Sequence, residues 1–466
     1  MNQTQTTDIA RSRIQSAFVV RESQPGVIAY PDKEHFVVIT SDATINQTPE
    51  YEDSTEKLGT RDITERFAGA MPAAEATLAM NLDVPAALGA KPQGYDALLS
   101  LFGSSTLEVP PVFTLNAASA TDTSLSVASM DSLAALPPCG VIKAGGELIY
   151  YDSIMVDVSG KLTLEGCLRG YQGSAAAGIA QGVAGKYKSL AFVQADSNPS
   201  FTYWLKTDHF LQGVTGATIN EASLSLSNAG AVNFEFSAVQ GMEVVFAGSS
   251  KLAAEALSGS TRIKVEAPGL YTARGWIWNA EVKDNGGGPA EGYRIVSVDD
   301  EGDELVLDKP ILKDWPAGSL VTGFLPQDAV RIGEPVEGRS ANVFFDGVKG
   351  KMRTSSISYS NNISYLTDEI GTDHPESYVE DSRTVSFEMN TYFRAQDAVR
   401  FKEGYEGRFA GVRFVFGKDN KVVLHMPRVQ QTMPSISIEA PTVGLDITGA
   451  ALASGQGNNA IYLIFN

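Results

Sequence analysis

Apolar and polar residues alternate with a period of two along most of this chain. "HFVVITSDATI", "SLSLS", "VNFEFSAV", "RIKVE", "YRIVSV", "ELVLD", "SISIEA" and "AIYLIFN" alternate or run in β-branched and aromatic residues, with turn residues between them. That pattern predicts strands. A helical period occurs twice. In "PQGYDALLSLFG", Tyr95, Leu98, Leu99 and Phe102 stand at i, i+3, i+4 and i+7 and predict a helix with one apolar face. "RAQDAVRFKEGYEG", residues 394–407, predicts a second, with Ala398, Val399 and Phe401 inward and Gly404 near its end. One helix in each half of a strand-rich chain predicts an all-β fold with minor α.

The pattern also repeats. "ATINQTPEYEDSTEKLGT" (43–60) and "SSISYSNNISYLTDEIGT" (355–372) have the same build, and Ile45 to Ile357 and Gly59-Thr60 to Gly371-Thr372 share an offset of 312. Each Gly-Thr opens a polar loop, "RDITERFAGAMPA" or "DHPESYVEDSR". Each loop returns into a strand carrying Met-Asn, at Met80-Asn81 and Met389-Asn390. A helix follows both times. "SLSLSNAGAVNFEFSA" (223–238) then resembles "SISIEAPTVGLDITGA" (435–450) with a one-residue slip. Strand, long loop, strand, helix and hairpin pair occur twice, which predicts a duplicated sandwich domain.

A second repeat lies between the copies. "TSLSVASM…GGELIYYDSIMVDVSGKLTLEGCLRG…AGIAQGVAG" and "TRIKVEAP…EGYRIVSVDDEGDELVLDKPIL…PAGSLVTGF" each read as a small β module with a central hairpin. The expected division is 1–105 with 188–248 as a discontinuous first large domain, 106–187 and 249–330 as the two modules, and 331–466 as the second large domain. Insertion at a loop is the usual way for a fold to accept such an addition.

Composition narrows the function classes. The 466 residues are 43% hydrophobic and 20% charged, which leaves room for real cores. Basic residues number 36 against 55 acidic, a net charge of −19, which argues against neutralising a nucleic-acid backbone. Cys139 and Cys167 are too few for a disulfide framework and read as reduced, partly buried thiols. "MNQTQTTDIARSR" has no apolar core of a signal peptide, and no run approaches a membrane span, so synthesis in a cytosol is expected.

No catalytic motif emerges, and neither an enzyme nor a cofactor or metal is expected. His35, His209, His374 and His425 lie far apart with no metal-ligand spacing. No GxSxG elbow or phosphate loop occurs. "GQGNNA" (455–460) precedes a strand without a following helix and reads as a hairpin turn. "SVDDEGDEL" (297–305) crowds acids around a Gly without the spacing of a calcium loop, and reads as a hairpin tip. Tyr150, Tyr151, Trp276 and Trp278 either fill the module cores or form a sugar-binding face.

The order of elements in 16–105 with 188–248, and again in 331–466, resembles the tail tube proteins of long-tailed bacteriophages, the siphophage type. The long loops "EDSTEKLGTRDITERFAGAMPA" and "TDEIGTDHPESYVEDSR", a flanking helix and the late hairpins "GATINEASLSLSNAGAVNFEFSAVQG" and "MPRVQQTMPSISIEAPTVGLDITGA" carry the resemblance. It implies two tandem tube-type β-sandwiches plus two inserted modules, in a structural virion protein of the tail. Homotrimers would form pseudo-hexameric rings, each lined by a continuous inner β-barrel. The rings would stack into a hollow tube that conducts DNA through its lumen without specific binding. Implied partners are further copies of the chain and the tape measure, tail tip and tail terminator proteins. Ring stacking would fall to Glu56, Gly59, Thr60, Arg61 and Asp62 in one loop and Asp368, Gly371, Thr372, Asp373 and His374 in the other. A tail-associated adhesin reading host carbohydrate through the modules is the alternative, and a glycan-acting enzyme a third.

Overall fold

Alternation along Thr384–Tyr392 shows how the strands form. Val385, Phe387 and Met389 are buried, while Ser386 and Glu388 face out. A computed structural model of the chain describes residues 15–466 apart from 57–61, 64, 131–135, 288–290, 418–421, 440 and 456. Among the described residues the fold is mostly β with two α-helices, as the periodicity implies.

The pairing pattern occurs twice. In the N-terminal half, Gln15–Arg21 pairs with Phe201–Thr207, which pairs with Phe210–Ser227, whose first part pairs with Glu243–Ala247. Ile45–Asn46 pairs with Ala74–Asn81, which pairs with Asn233–Gly241, which pairs with the second part of Phe210–Ser227. In the C-terminal half, the series Asn342–Phe345, Phe409–Phe416, Val422–Gln431, Tyr462–Phe465 repeats the first set of pairings. Thr354–Ser360, Thr384–Tyr392, Thr442–Ala451, Ser435–Glu439 repeat the second. Even the bulges correspond, one between Phe201 and Tyr203, the other between Ala410 and Val412.

The long strand Phe210–Ser227 serves both sheets of its half by bending at Gly216, which takes φ +59°. The Glu22 carboxylate holds the bend, accepting from the Gly216 N–H at 2.8 Å and the Thr202 hydroxyl at 2.7 Å. Burial raises the pKa of Glu22 against these hydrogen bonds. In the C-terminal half the same path is cut at 432–434, where Pro434 brings no N–H to the ladder. One detail of the sequence repeat shifts. By pairing, Leu78 is opposite Phe236 as Met389 is opposite Ile447, so the two Met-Asn dipeptides lie two residues out of structural register.

The intervening residues form two barrels of matching strand order. In the first, Val112–Leu115, Leu125–Met130, Leu162–Glu165, the kinked run Glu147–Val156, Gly140–Ala144 and Val183–Tyr187 pair in a closed circuit. In the second, Ser249–Lys251, Arg262–Lys264, Glu304–Leu307, Tyr293–Asp299, Trp276–Asn279 and Leu320–Gly323 do the same, closed by a Leu252–Val265 bridge. The acidic "SVDDEGDEL" is the tip of the hairpin Tyr293–Asp299/Glu304–Leu307.

Each barrel covers the outer sheet of one half. The second shares a core with Phe18, Trp204, Leu211 and Val245 of the N-terminal half. The first hangs from the paired strands Gly103–Ser105 and Leu190–Gln194 yet lies on the C-terminal half. There Cys139 packs with Val423, Tyr462 and Ile464, and Arg413 reaches the Asp152 carboxylate at 2.8 Å. Register makes Trp204 and Arg413 equivalent positions: Trp204 faces Phe18, and Arg413 faces Phe344.

Both helices differ from their one-faced expectation. Tyr95–Phe102 is buried on every side except at Asp96, because it is wedged between its own half and the other. The Phe102 ring lies 5.9 Å from Phe192 and 5.5 Å from Tyr359. In the second, Ala395–Ala398 is a 3-10 turn before Val399–Tyr405. That tighter turn rotates Ala398 and Val399 outward, and only Phe401 packs inward, against Phe393. "GQGNNA" is a crossover and not a hairpin turn, since its flanking strands each pair with Val422–Gln431 and, among the described residues, not with each other.

Two outcomes follow. Phe102→Ala should cost about 3–5 kcal/mol in urea unfolding, because the vacated space has rigid aromatic walls. The half-buried His425 beside Arg413 has its pKa lowered to about 4, first by desolvation and then by that guanidinium. The unfolded chain takes up this proton near pH 6.5 and the folded one only near 4, so stability falls as pH drops through that window. His425→Gln should flatten part of that slope in urea titrations at pH 7 and 4.5.

Candidate assembly surface

The two halves join through a strand edge. Glu221–Ser227 pairs antiparallel with Thr354–Ser360, Leu224 opposite Ile357 and Ser225 opposite Ser356. The junction therefore has two unlike faces. Toward the core lie Ala222, Leu224, Leu226, Ile357 and Tyr359, all buried in one apolar cluster that runs through both halves. Toward solvent lie serines with Thr354 and Glu221, Ser223 opposite Ser358 and Glu221 opposite Ser360.

The equivalent edge of the C-terminal half is bare. Ser435–Glu439 pairs with Thr442–Ala451 and, among the described residues, with no second strand. "SISIE" takes the place of "SLSLS": Ser223 faces Glu235, and Ser435 faces Asp446. Leu224 and Leu226 are 1% and 3% exposed, whereas the matching Ile436 and Ile438 are 51% and 84% exposed. The complementary edge at the other end of the molecule is also open. Ile45–Asn46 is the counterpart of Thr354–Ser360 and pairs only with Ala74–Asn81 among the described residues.

The solvent face of these strands has one chemical character. Glu75, Glu221, Glu235, Glu388 and Asp446 alternate with serines, threonines and asparagines, and no lysine or arginine occupies an outward position in these described strands. Asn390 holds Asp446 at 2.5 Å.

The sequence-predicted loop residues are partly brought together. Glu56 and Asp62 are exposed, while Gly59, Thr60 and Arg61 lie outside the described residues. In the second loop Asp368 is exposed, Gly371 takes φ +97°, and the Thr372 hydroxyl donates to the Glu369 carbonyl. The Asp373 carbonyl accepts from the Met71 N–H at 3.0 Å, which ties the second loop to the return of the first. His374 Nε2 lies 3.8 Å from a Glu243 oxygen. The bases of the loops form the same hairpin, Tyr51–Asp53 with Arg66–Ala68 and Ile363–Tyr365 with Tyr378–Glu380, at the offset of 312.

Other chemistry is sparse. Among the described residues no three His, Cys, Asp or Glu side chains converge as metal ligands, and no helix is long and apolar enough to cross a membrane. Burial raises both thiols, Cys139 to about 12 and Cys167 to about 11. Of the aromatics weighed for a sugar face, Tyr150, Tyr151 and Trp276 are buried, and Trp278 packs edge-on against Phe324. Buried carboxylates serve the barrels: Glu147 holds Arg169, and Asp284 accepts from Tyr293 and Trp315. No known family model and no curated protein matches the chain.

The contrast between the two edges has a direct consequence. Leu226→Asp should destabilise the isolated chain by several kcal/mol, since it buries an unpaired charge. Ile438→Asp, the same change at the equivalent position, should stay within about 0.5 kcal/mol of wild type. Denaturant titration of dilute protein checks both.

Proposed function

We propose that this protein is a structural subunit of a hollow tube, a phage tail tube protein whose two sandwich halves take two of six positions in a ring of three copies. One observation carries the reading. The edge that joins the halves inside the chain is present again, uncovered among the described residues, at both ends of the molecule.

Applying the internal register to a second copy pairs Ser435–Glu439 with residues 42–46 and puts Ile436 opposite Ile45. Such a contact is heterologous, head to tail, so successive copies turn by a constant angle, and in the proposed ring three such turns close. Closure pairs both of these open edges. Two buried isoleucines contribute about 3–6 kcal/mol per seam, of the same order as the freedom lost on association. A single seam is therefore weak. A closed trimer gains three seams for two associations, which makes the ring the stable species.

In that ring the serine, threonine and carboxylate face of both halves lines the inside. Carboxylates without cations repel phosphates, so a duplex passes without being gripped. The barrels on the outer sheets lie outside the wall. The tips of the long loops, including Glu56, Asp62 and Asp368, contribute to contacts between stacked rings. No catalysis, metal or cofactor enters this reading. The module aromatics lie within cores, so nothing favours a carbohydrate-binding alternative.

Concentrated protein imaged by negative-stain electron microscopy should give hollow filaments of constant width. Ile436→Asp should abolish them while leaving a folded monomer. A wild-type chain that stays monomeric at every concentration, or filaments that survive Ile436→Asp, would overturn the proposal.

A further inference from the structure

We infer that the hairpin Tyr51–Asp53/Arg66–Ala68, at the base of the first long loop, is a sideways clasp that docks on the C-terminal half of the neighbouring copy within one ring. The inference rests on the ring reading above and assigns this hairpin a partner surface different from an adjacent ring.

The argument starts from the second hairpin, whose docking is visible. Ile363–Tyr365 follows Thr354–Ser360 directly, and both lie on the N-terminal half. The Tyr365 hydroxyl donates to the Gly216 carbonyl at 2.7 Å and lies 2.9 Å from the Thr218 hydroxyl. The Ile363 N–H donates to Asn220 Oδ1 at 2.8 Å, and Tyr378 donates to the Asn198 carbonyl at 3.0 Å. Ile363, Tyr365 and Met242 form a small buried cluster. Edge strand and hairpin thus form one continuous footprint on the preceding half.

The first hairpin has the same fold and the same offset but no such seat among the described residues of its chain. All six of its strand residues are exposed, and Tyr51, in the place of Ile363, is 58% exposed against 3%. The receiving surface is also present a second time. Strand register carries Gly216, Thr218 and Asn220 onto Arg428, Gln430 and Thr432. Met242, one residue beyond Asn233–Gly241, corresponds to Leu452, one beyond Thr442–Ala451. Met242 is 4% exposed under its hairpin, and Leu452 is 37% exposed without one.

The substitutions between the two seats match each other. Where Tyr365 meets Gly216, the equivalent pair is Asp53 and Arg428, of opposite charge. Where Ile363 meets Met242, the equivalent pair is Tyr51 and Leu452, both apolar and uncovered. The occupant is therefore a second copy of this chain, and the seat continues the Ile45–Ile436 seam.

Cross-linking tests it. Tyr51→Cys and Leu452→Cys are made in separate chains, mixed under assembly conditions and treated with a short thiol cross-linker. Ile45→Cys and Ile436→Cys chains serve as the seam control, and wild type, with its two buried thiols, as the blank. Covalent dimers from both mixtures are expected, and none when each single variant is treated alone. Dimers from the 45/436 mixture alone would overturn the clasp and leave the ring standing. Dimers from neither, in protein that forms rings by microscopy, would overturn the seam register and the clasp together.

Discussion

An antiparallel strand has two hydrogen-bonding edges, and the arrangement of this molecule depends on what covers each one. Along Glu221–Ser227 both edges are used, one by the strand's own hairpin partner and one by the other half of the chain. Along Ser435–Glu439 only the first is used among the described residues. An uncovered ladder flanked by isoleucines is costly for a soluble protein, and proteins normally blunt such an edge with charge, a bulge or a covering loop. Apart from the charge of Glu439 at its end, the described part of this edge has none of these, and residues 435–438 repeat the pattern that is buried elsewhere in the same molecule.

Duplication supplies the geometry. Because the two sheets of each half share their internal strand pairings, the proposed ring would repeat between copies the transformation that relates first half to second. On that proposal the chain contains, as a covalent pair, one example of the contact between copies. The first barrel strengthens that internal example. It springs from the N-terminal half and rests on the C-terminal half, so it straps the two together in a way no described segment could strap separate chains.

Much of this was legible in the sequence. Period-two alternation identified the strands, the 312-residue offset identified the paired loops, and "SLSLS" against "SISIE" identified equivalent hairpins. The burial of those two segments was not legible, since Leu224 and Ile436 sit in the same local pattern and differ only in whether the chain brings a neighbour. The Met-Asn match misled by two residues, because sequence similarity does not see strand pairing. The helix Tyr95–Phe102 looked one-faced because its other side is covered by residues more than two hundred positions away. Val399 turned outward because a 3-10 turn starts its helix, a change of phase that a 3.6-residue period cannot register. The loop residues were recognisable as a repeat, but only coordinates show the second hairpin seated and the first one bare.

The equivalent positions Trp204 and Arg413 give the two outer barrels different attachments. One barrel rests on an indole buried among apolar neighbours, with an Arg274–Glu243 ion pair beside it. The other rests on the apolar cluster around Cys139 and on a guanidinium facing a carboxylate that is 45% open to solvent, a contact that dissolved ions weaken. Concentrated brine would therefore loosen the Arg413 contact while leaving the packing at Trp204 intact.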